Sequence, residues 1–196
     1  MPTNTRALAD YLFSAGMLKR TERSGWRTIG IKEPESVAEH TFGVAVVGML
    51  LAKMEGADEL KVLKMCLVHD LHESRMGDLN KLNKRYVRMD EKKAFVETTE
   101  MLDASMKNEL RSIFREYLAG KTLEARIVKD ADALDMMLEA RLLVDTGNRH
   151  AKDWIESAWE KISTKSGKEL GREIEKRDSL EWLLGMFRVE RKRGRK

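Results

Sequence analysis

Histidine is scarce in this chain, with four in 196 residues: His40, His69, His72 and His150. Two of them, His40 and His69, stand in apolar helical surroundings, and His69 is followed at once by an aspartate. The run MCLVHDL places His69 and Asp70 directly after apolar residues, with Met65 and Cys66 one turn earlier on the same helix face. A buried carboxylate is costly unless it is paired, hydrogen-bonded or bound to a metal. A structural His–Asp hydrogen bond would meet that need as well as a metal would. His40, in SVAEHT, lies four residues from Val44 and reads either as a satisfied core histidine or as a second imidazole ligand. Glu39 beside it is expected to face solvent. Asp132, in VKDADALDMM, has Val128 and Met136 four residues away on either side. An ordinary acidic helix surface explains that segment equally well, and Asp130 and Asp135 compete with Asp132 for any role. Together, two imidazoles and two carboxylates make a mixed nitrogen and oxygen set, which suits Mn, Co, Fe, Ni or Zn better than Ca. Protein ligands that leave part of the coordination shell open admit a water and a phosphate oxygen, and such a water can attack phosphorus.

Helices must position these groups. The chain has only two prolines, helix formers dominate, and alternating β-branched runs are nearly absent, so the expected fold is all-α, a single-domain helical bundle. A first helix is predicted near 5–18, with Leu8, Leu12 and Phe13 on one face, followed by an irregular stretch over 20–35. The apolar run over 36–54 reads as a buried central helix, ended by Gly56. Asp58 is placed to cap a helix over 59–72, and a polar loop follows it. Further helices are expected over 90–102, 104–118, 123–146 (capped by Thr122), 150–162 and 166–187. The long one carries Leu123, Ile127, Ala131, Leu134 and Leu138. His72 is expected at a helix end on the surface.

Bulk composition excludes other classes. Mean hydropathy is −0.50, and no apolar run reaches the ~18 residues a membrane span needs. No signal peptide is read at the N-terminus, so a cytoplasmic protein is expected. The single cysteine, Cys66, lies in an apolar run and reads as an inert buried thiol. The net charge of +4 is concentrated in residues 188–196, which carry six positive charges and one negative, leaving the body at −1. Residues 1–187 are expected to form the domain and 188–196 a basic, disordered tail. With the charge so confined, a nucleic-acid partner is not expected.

The order His, then His-Asp, then Asp resembles the HD-domain metal-dependent phosphohydrolases. The likeness extends to the subfamily of 5′-deoxynucleotidases, which remove phosphate from deoxyribonucleoside 5′-monophosphates. It rests on GW at 25–26, PESVAEHT at 34–41, HDLHESRMGDL at 69–79 and KDADALDM at 129–136. The resemblance implies that His40, His69, Asp70 and Asp132 hold one divalent ion (Mn, Co, Fe, Ni, Zn or Mg). One ion is favoured because no further histidine lies between His72 and Asp132. It also implies that Glu73 is the general acid/base, that Asp78 contacts the sugar, and that Trp26 packs in the nucleotide pocket. Some bacterial relatives carry Arg immediately before the matching Trp, whereas this chain has Gly25. Phosphate needs a cation besides the metal, and Arg27, Arg23 or Lys32 is expected to supply it, with Arg27, next to the Trp, as the expected substrate-binding residue. A homodimer is expected, as relatives often are. Alternatives are an HD-type hydrolase of another phosphorylated small molecule (a cyclic nucleotide or nucleoside triphosphate) and a non-catalytic nucleotide-binding module.

Overall fold

In the computed structural model, which describes residues 4–193, eleven α-helices follow one another. They are α1 (Thr5–Ala15), α2 (Ser24–Arg27), α3 (Val37–Glu55), α4 (Glu59–Val68), α5 (Glu73–Met76), α6 (Glu91–Thr98), α7 (Ala104–Ala119), α8 (Leu123–Asp145), α9 (Lys152–Trp159), α10 (Lys165–Lys176) and α11 (Glu181–Arg193). Among the described residues there is no strand, only an isolated antiparallel bridge between Glu22 and Ser36. The all-α expectation holds.

Local chemistry sets the helix ends. Ser36 Oγ accepts the Glu39 N–H at 3.2 Å while the exposed Glu39 carboxylate accepts the Ser36 N–H at 2.7 Å, a capping box that starts α3. Asp58 caps α4 and Thr122 caps α8, as their positions predicted. Gly56 closes α3 in the left-handed region, at φ 68°, which other residues enter only with strain.

The centre of the molecule is α3 packed on α8 and α4, with α7, α9 and α10 around α8. Val44, Leu51, Val62, Ile127 and Leu134 are fully buried, each worth roughly 1.5–3 kcal/mol of transfer free energy. The backbones of α3 and α4 come close at Gly48, where a β-carbon would sit 2.6 Å from Cys66 Sγ. Among the described helices α3 is long and apolar enough to cross a membrane, yet its inner side is covered by α4, α8 and α10. Cys66 is buried, and desolvation pushes its thiol up to about 12, in keeping with an inert side chain.

Several expected elements differ. The helix predicted over 59–72 stops at Val68: His69 turns its side chain back onto its own helix, and a separate short helix begins at Glu73. The single helix expected over 166–187 is two, because the turn at 177–180 is held by Asp145, which accepts the Ser179 N–H at 2.8 Å, and by Asp178, which accepts the Leu180 N–H at 2.8 Å. On α1 the packed side chains are Tyr11 and Ala15, while Leu12 and Phe13 face outward. Leu138 on α8 is also exposed. Helix α11 continues through Arg193, so the basic tail is helical in its first part, and residues 194–196 lie outside the described residues.

Asp130, the neighbour that competed with Asp132, has a structural task. Its fully buried carboxylate accepts the Ser163 and Thr164 N–H groups, both at 2.8 Å, and both hydroxyls, at 3.1 and 2.6 Å. It thereby fixes the start of α10. Replacing Asp130 with Ala strands these donors and is expected to lower unfolding free energy by about 3 kcal/mol, measurable by urea titration.

Candidate metal centre

The bridge at Glu22 and Ser36 ties residues 21–23 to the entry of α3: the Arg23 N–H donates to Glu35 O at 2.9 Å and the Val37 N–H to Thr21 O at 2.7 Å. That pairing carries Arg23 and Trp26 to the side of His40. In its turn, α8 brings Asp132 and Asp135 against the same histidine.

Both candidate imidazoles are fixed by a partner at Nδ1. His69 Nδ1 lies 2.6 Å from Cys66 O, and a carbonyl only accepts, so Nδ1 carries the proton. His40 Nδ1 lies 2.7 Å from Asp135 Oδ2. The two Nε2 atoms are buried without a hydrogen-bond partner. His40 and His69, with Asp70, present donor atoms that all lie within 4.8 Å of one another. Asp132 Oδ1 approaches His40 Nε2 at 3.3 Å, and Asp70 Oδ2 approaches His69 Nε2 at 3.2 Å. Two stranded imidazole nitrogens facing two carboxylates are the donor set of a divalent cation site.

The electrostatics agree. Burial and the Arg23 charge pull His40 down, but Asp132 and Asp135 outweigh them and raise it to about 9. The position thus favours positive charge, whether as a proton on Nε2 or as a metal ion. Burial alone would raise Asp70, yet His69, Arg23 and His40 hold it well below the usual carboxylate range. Asp132 is lowered too, as His40 and Lys161 outweigh its burial.

A cavity of about 550 Å³ opens on this cluster. Its walls include Arg23, Trp26, Asp70, Glu73, Asp78 and Asp132. Glu73 is 4% exposed. Burial, reinforced by the charges of Asp70 and Asp78, raises its carboxyl to about 9, and its Oε2 has no hydrogen-bond partner. Asp78 uses one oxygen to accept the Ser24 N–H at 2.8 Å. Trp26 is a core residue and a cavity wall at once: it is buried, donates Nε1–H to Glu35 at 3.0 Å, and packs on Trp154 with ring centroids 5.5 Å apart.

Arg27 is not part of the cavity. It pairs with Glu22 at 2.7 Å on the surface, because the short turn of α2 points it away from Trp26. Arg23 stands in its place, with Nη1 3.5 Å from Asp70 Oδ2. His72 is also corrected: it is buried, packs on Phe114 with centroids 5.5 Å apart, and lines the cavity. Lys161, whose Nζ lies 3.6 Å from Asp132, and Trp154 join the site from α9 and the segment after it. Neither belongs to a recognisable motif, so spacing gave no signal for them.

Residues 15–176 match the family model described as the HD domain. The chain belongs to the HD-domain family. Members are metal-dependent phosphohydrolases, and the histidine and aspartate groups above are placed to bind the divalent ion that an HD domain implies. Among relatives of this HD-domain chain, 5′-deoxynucleotidase HDDC2 of Dictyostelium discoideum is 39% identical over 135 residues, covering 64% of this chain and 71% of the relative. The human protein of that name is 31% identical over 138 residues, 69% of this chain and 67% of the relative. A conserved hypothetical protein of Pyrococcus furiosus has the same fold, with a TM-score of 0.72 and 31% identity over 86% of this chain and 99% of its own.

Proposed function

We propose that this HD-domain protein is a phosphomonoesterase that converts deoxyribonucleoside 5′-monophosphates to deoxynucleoside and phosphate. The observation that carries the reading is the approach of the unpartnered His40 and His69 Nε2 atoms to Asp132 and Asp70, two carboxylates that line one cavity. The relatives named 5′-deoxynucleotidase support the substrate class, and the cavity's volume of about 550 Å³ lies in the ~300–1,000 Å³ range of small-molecule sites.

His40, His69, Asp70 and Asp132 would hold the ion. When bound, a divalent cation supplies Lewis-acid polarisation of the phosphate and a water of lowered pKa. Arg23, beside Asp70, and Lys161, beside Asp132, bring the positive charge that orients the phosphate. Burial and the charges of Asp70 and Asp78 favour the protonated form of Glu73, which in this reading gives its proton to the departing 5′-oxygen. The second oxygen of Asp78 accepts the sugar 3′-hydroxyl and crowds a 2′-hydroxyl. Trp26 and Trp154 form the aromatic wall for the nucleoside.

The test is phosphate release from deoxy- and ribonucleoside 5′-monophosphates, cyclic nucleotides and triphosphates, with Mn²⁺, Co²⁺, Mg²⁺ or no metal. Metal-dependent release from the deoxynucleotides is the expected result; release only from the cyclic nucleotides or triphosphates overturns the substrate assignment. Arg23→Ala is expected to raise KM by about 10–100-fold, the worth of a charged hydrogen bond. Arg27→Ala, on the surface, should leave KM unchanged.

Homodimer assembly in the cytoplasm belongs to the same proposal. Support for a dimer comes from apolar side chains left exposed on α3 and α8, including Phe42, Met49, Leu50 and Leu138.

A further inference from the structure

His40 is clamped at both ring edges by one helix. Asp132 and Asp135 stand three residues apart on α8, hence on one face. Asp132 Oδ1 approaches Nε2 at 3.3 Å, and Asp135 Oδ2 lies 2.7 Å from Nδ1. The histidine itself is fully buried, so no water competes for the Nδ1 proton. A second, independent feature is Gly43. It lies on α3 where a β-carbon would fall inside the Asp135 carboxylate. The glycine makes the room that lets Asp135 reach across from α8 to the ring. Behind them Glu35, which accepts from Trp26 Nε1 at 3.0 Å, lies close to both His40 and Asp135 and closes the polar pocket.

We propose that Asp135 is a positioning residue of the metal centre and that Gly43 is the cradle that admits it. Accepting the Nδ1 proton leaves the Nε2 lone pair free, fixes the ring's rotation toward Asp70 and Asp132, and raises the basicity of the ligand nitrogen. Gly43 lies outside the motifs used above, and Asp135, though it falls within KDADALDM, is given no role by the family likeness. The inference rests on the metal-centre reading of the preceding subsection.

The test uses the full chain, stripped of metal, with Mn²⁺ as the only ligand. Equilibrium dialysis gives Kd for wild type, Asp135→Asn, Asp135→Ala and Gly43→Ala, corrected for the folded fraction measured by circular dichroism. Asp135→Ala and Gly43→Ala are expected to bind about 10–100-fold more weakly. Asp135→Asn keeps an acceptor for Nδ1–H but loses the charge, and should weaken binding by a smaller factor, about 3–10-fold. Asp130→Ala serves as the structural control, with lower stability and unchanged Kd. Where Asp135→Ala does not fold, Asp135→Leu, close in size and unable to accept a hydrogen bond, takes its place. Wild-type affinity in the folded variant overturns the positioning role alone; failure of the wild type to bind Mn²⁺ overturns the metal reading together with it.

Discussion

Asp70→Ala is expected to abolish divalent-metal uptake and to lower phosphate release by about 10³-fold or more. Asp70 sits where three demands meet. Its Oδ2 lies 3.2 Å from His69 Nε2, 3.9 Å from His40 Nε2 and 3.5 Å from Arg23 Nη1. Those positive or polar neighbours keep it ionised despite burial, and an ionised oxygen is what a divalent cation requires. Lewis-acid stabilisation is worth several kcal/mol, and about 1.36 kcal/mol corresponds to a factor of ten in rate; hence the magnitude. Removing the carboxylate also frees Arg23 to draw toward Asp132 and Asp78, which spoils the phosphate seat. Dialysis with Mn²⁺ beside a phosphate-release assay checks both consequences. A variant that keeps more than about a tenth of wild-type turnover is incompatible with Asp70 as a ligand.

Glu73→Gln should separate chemistry from binding. Glutamine matches the size of the neutral carboxylic acid and keeps a donor, but it cannot release a proton. The expected outcome is a fall in kcat of about 10²–10⁴-fold, the usual yield of general acid–base catalysis, with Mn²⁺ affinity and KM little changed. The pH profile carries a sharper mark. Burial first, then the charges of Asp70 and Asp78, raise Glu73 to about 9. A raised carboxyl holds its proton below that value and loses it above, so a rate that needs the protonated acid declines as pH rises. A cation bound beside it favours the charged form, which moves this limb below 9. The limb should be present in the wild type and absent from Glu73→Gln. If the variant turns over at wild-type rate, Glu73 is not the acid.

The two predictions draw on different sources. Asp70 was legible in the chain because a carboxylate directly after MCLVH cannot be left bare in an apolar helix. Glu73 carried no such mark of its own: as a glutamate near a helix end it resembled a surface residue, and only the family likeness singled it out. Its burial follows from the break of the helix at His69, which turns α5 inward under Asp78.

The family likeness picked out the ligand set, while composition and periodicity determined the all-α fold, the central helix with His40, the caps at Asp58 and Thr122, and the apolar surroundings of His40 and His69. These are properties of neighbours within a few residues, and helical spacing records them. Tertiary structure decided which charged residue faces the cavity. Arg23 rather than Arg27 was selected by the bridge from Glu22 to Ser36, a pairing across fourteen residues that no spacing rule reports. It likewise divided three aspartates of α8 among separate tasks: Asp130 to the start of α10, Asp132 to the centre, and Asp135 to the far edge of His40. All three look alike in the chain. Each takes its role from what a distant segment presents to it, because a carboxylate acts only through the donor or cation that folding brings within about 3 Å.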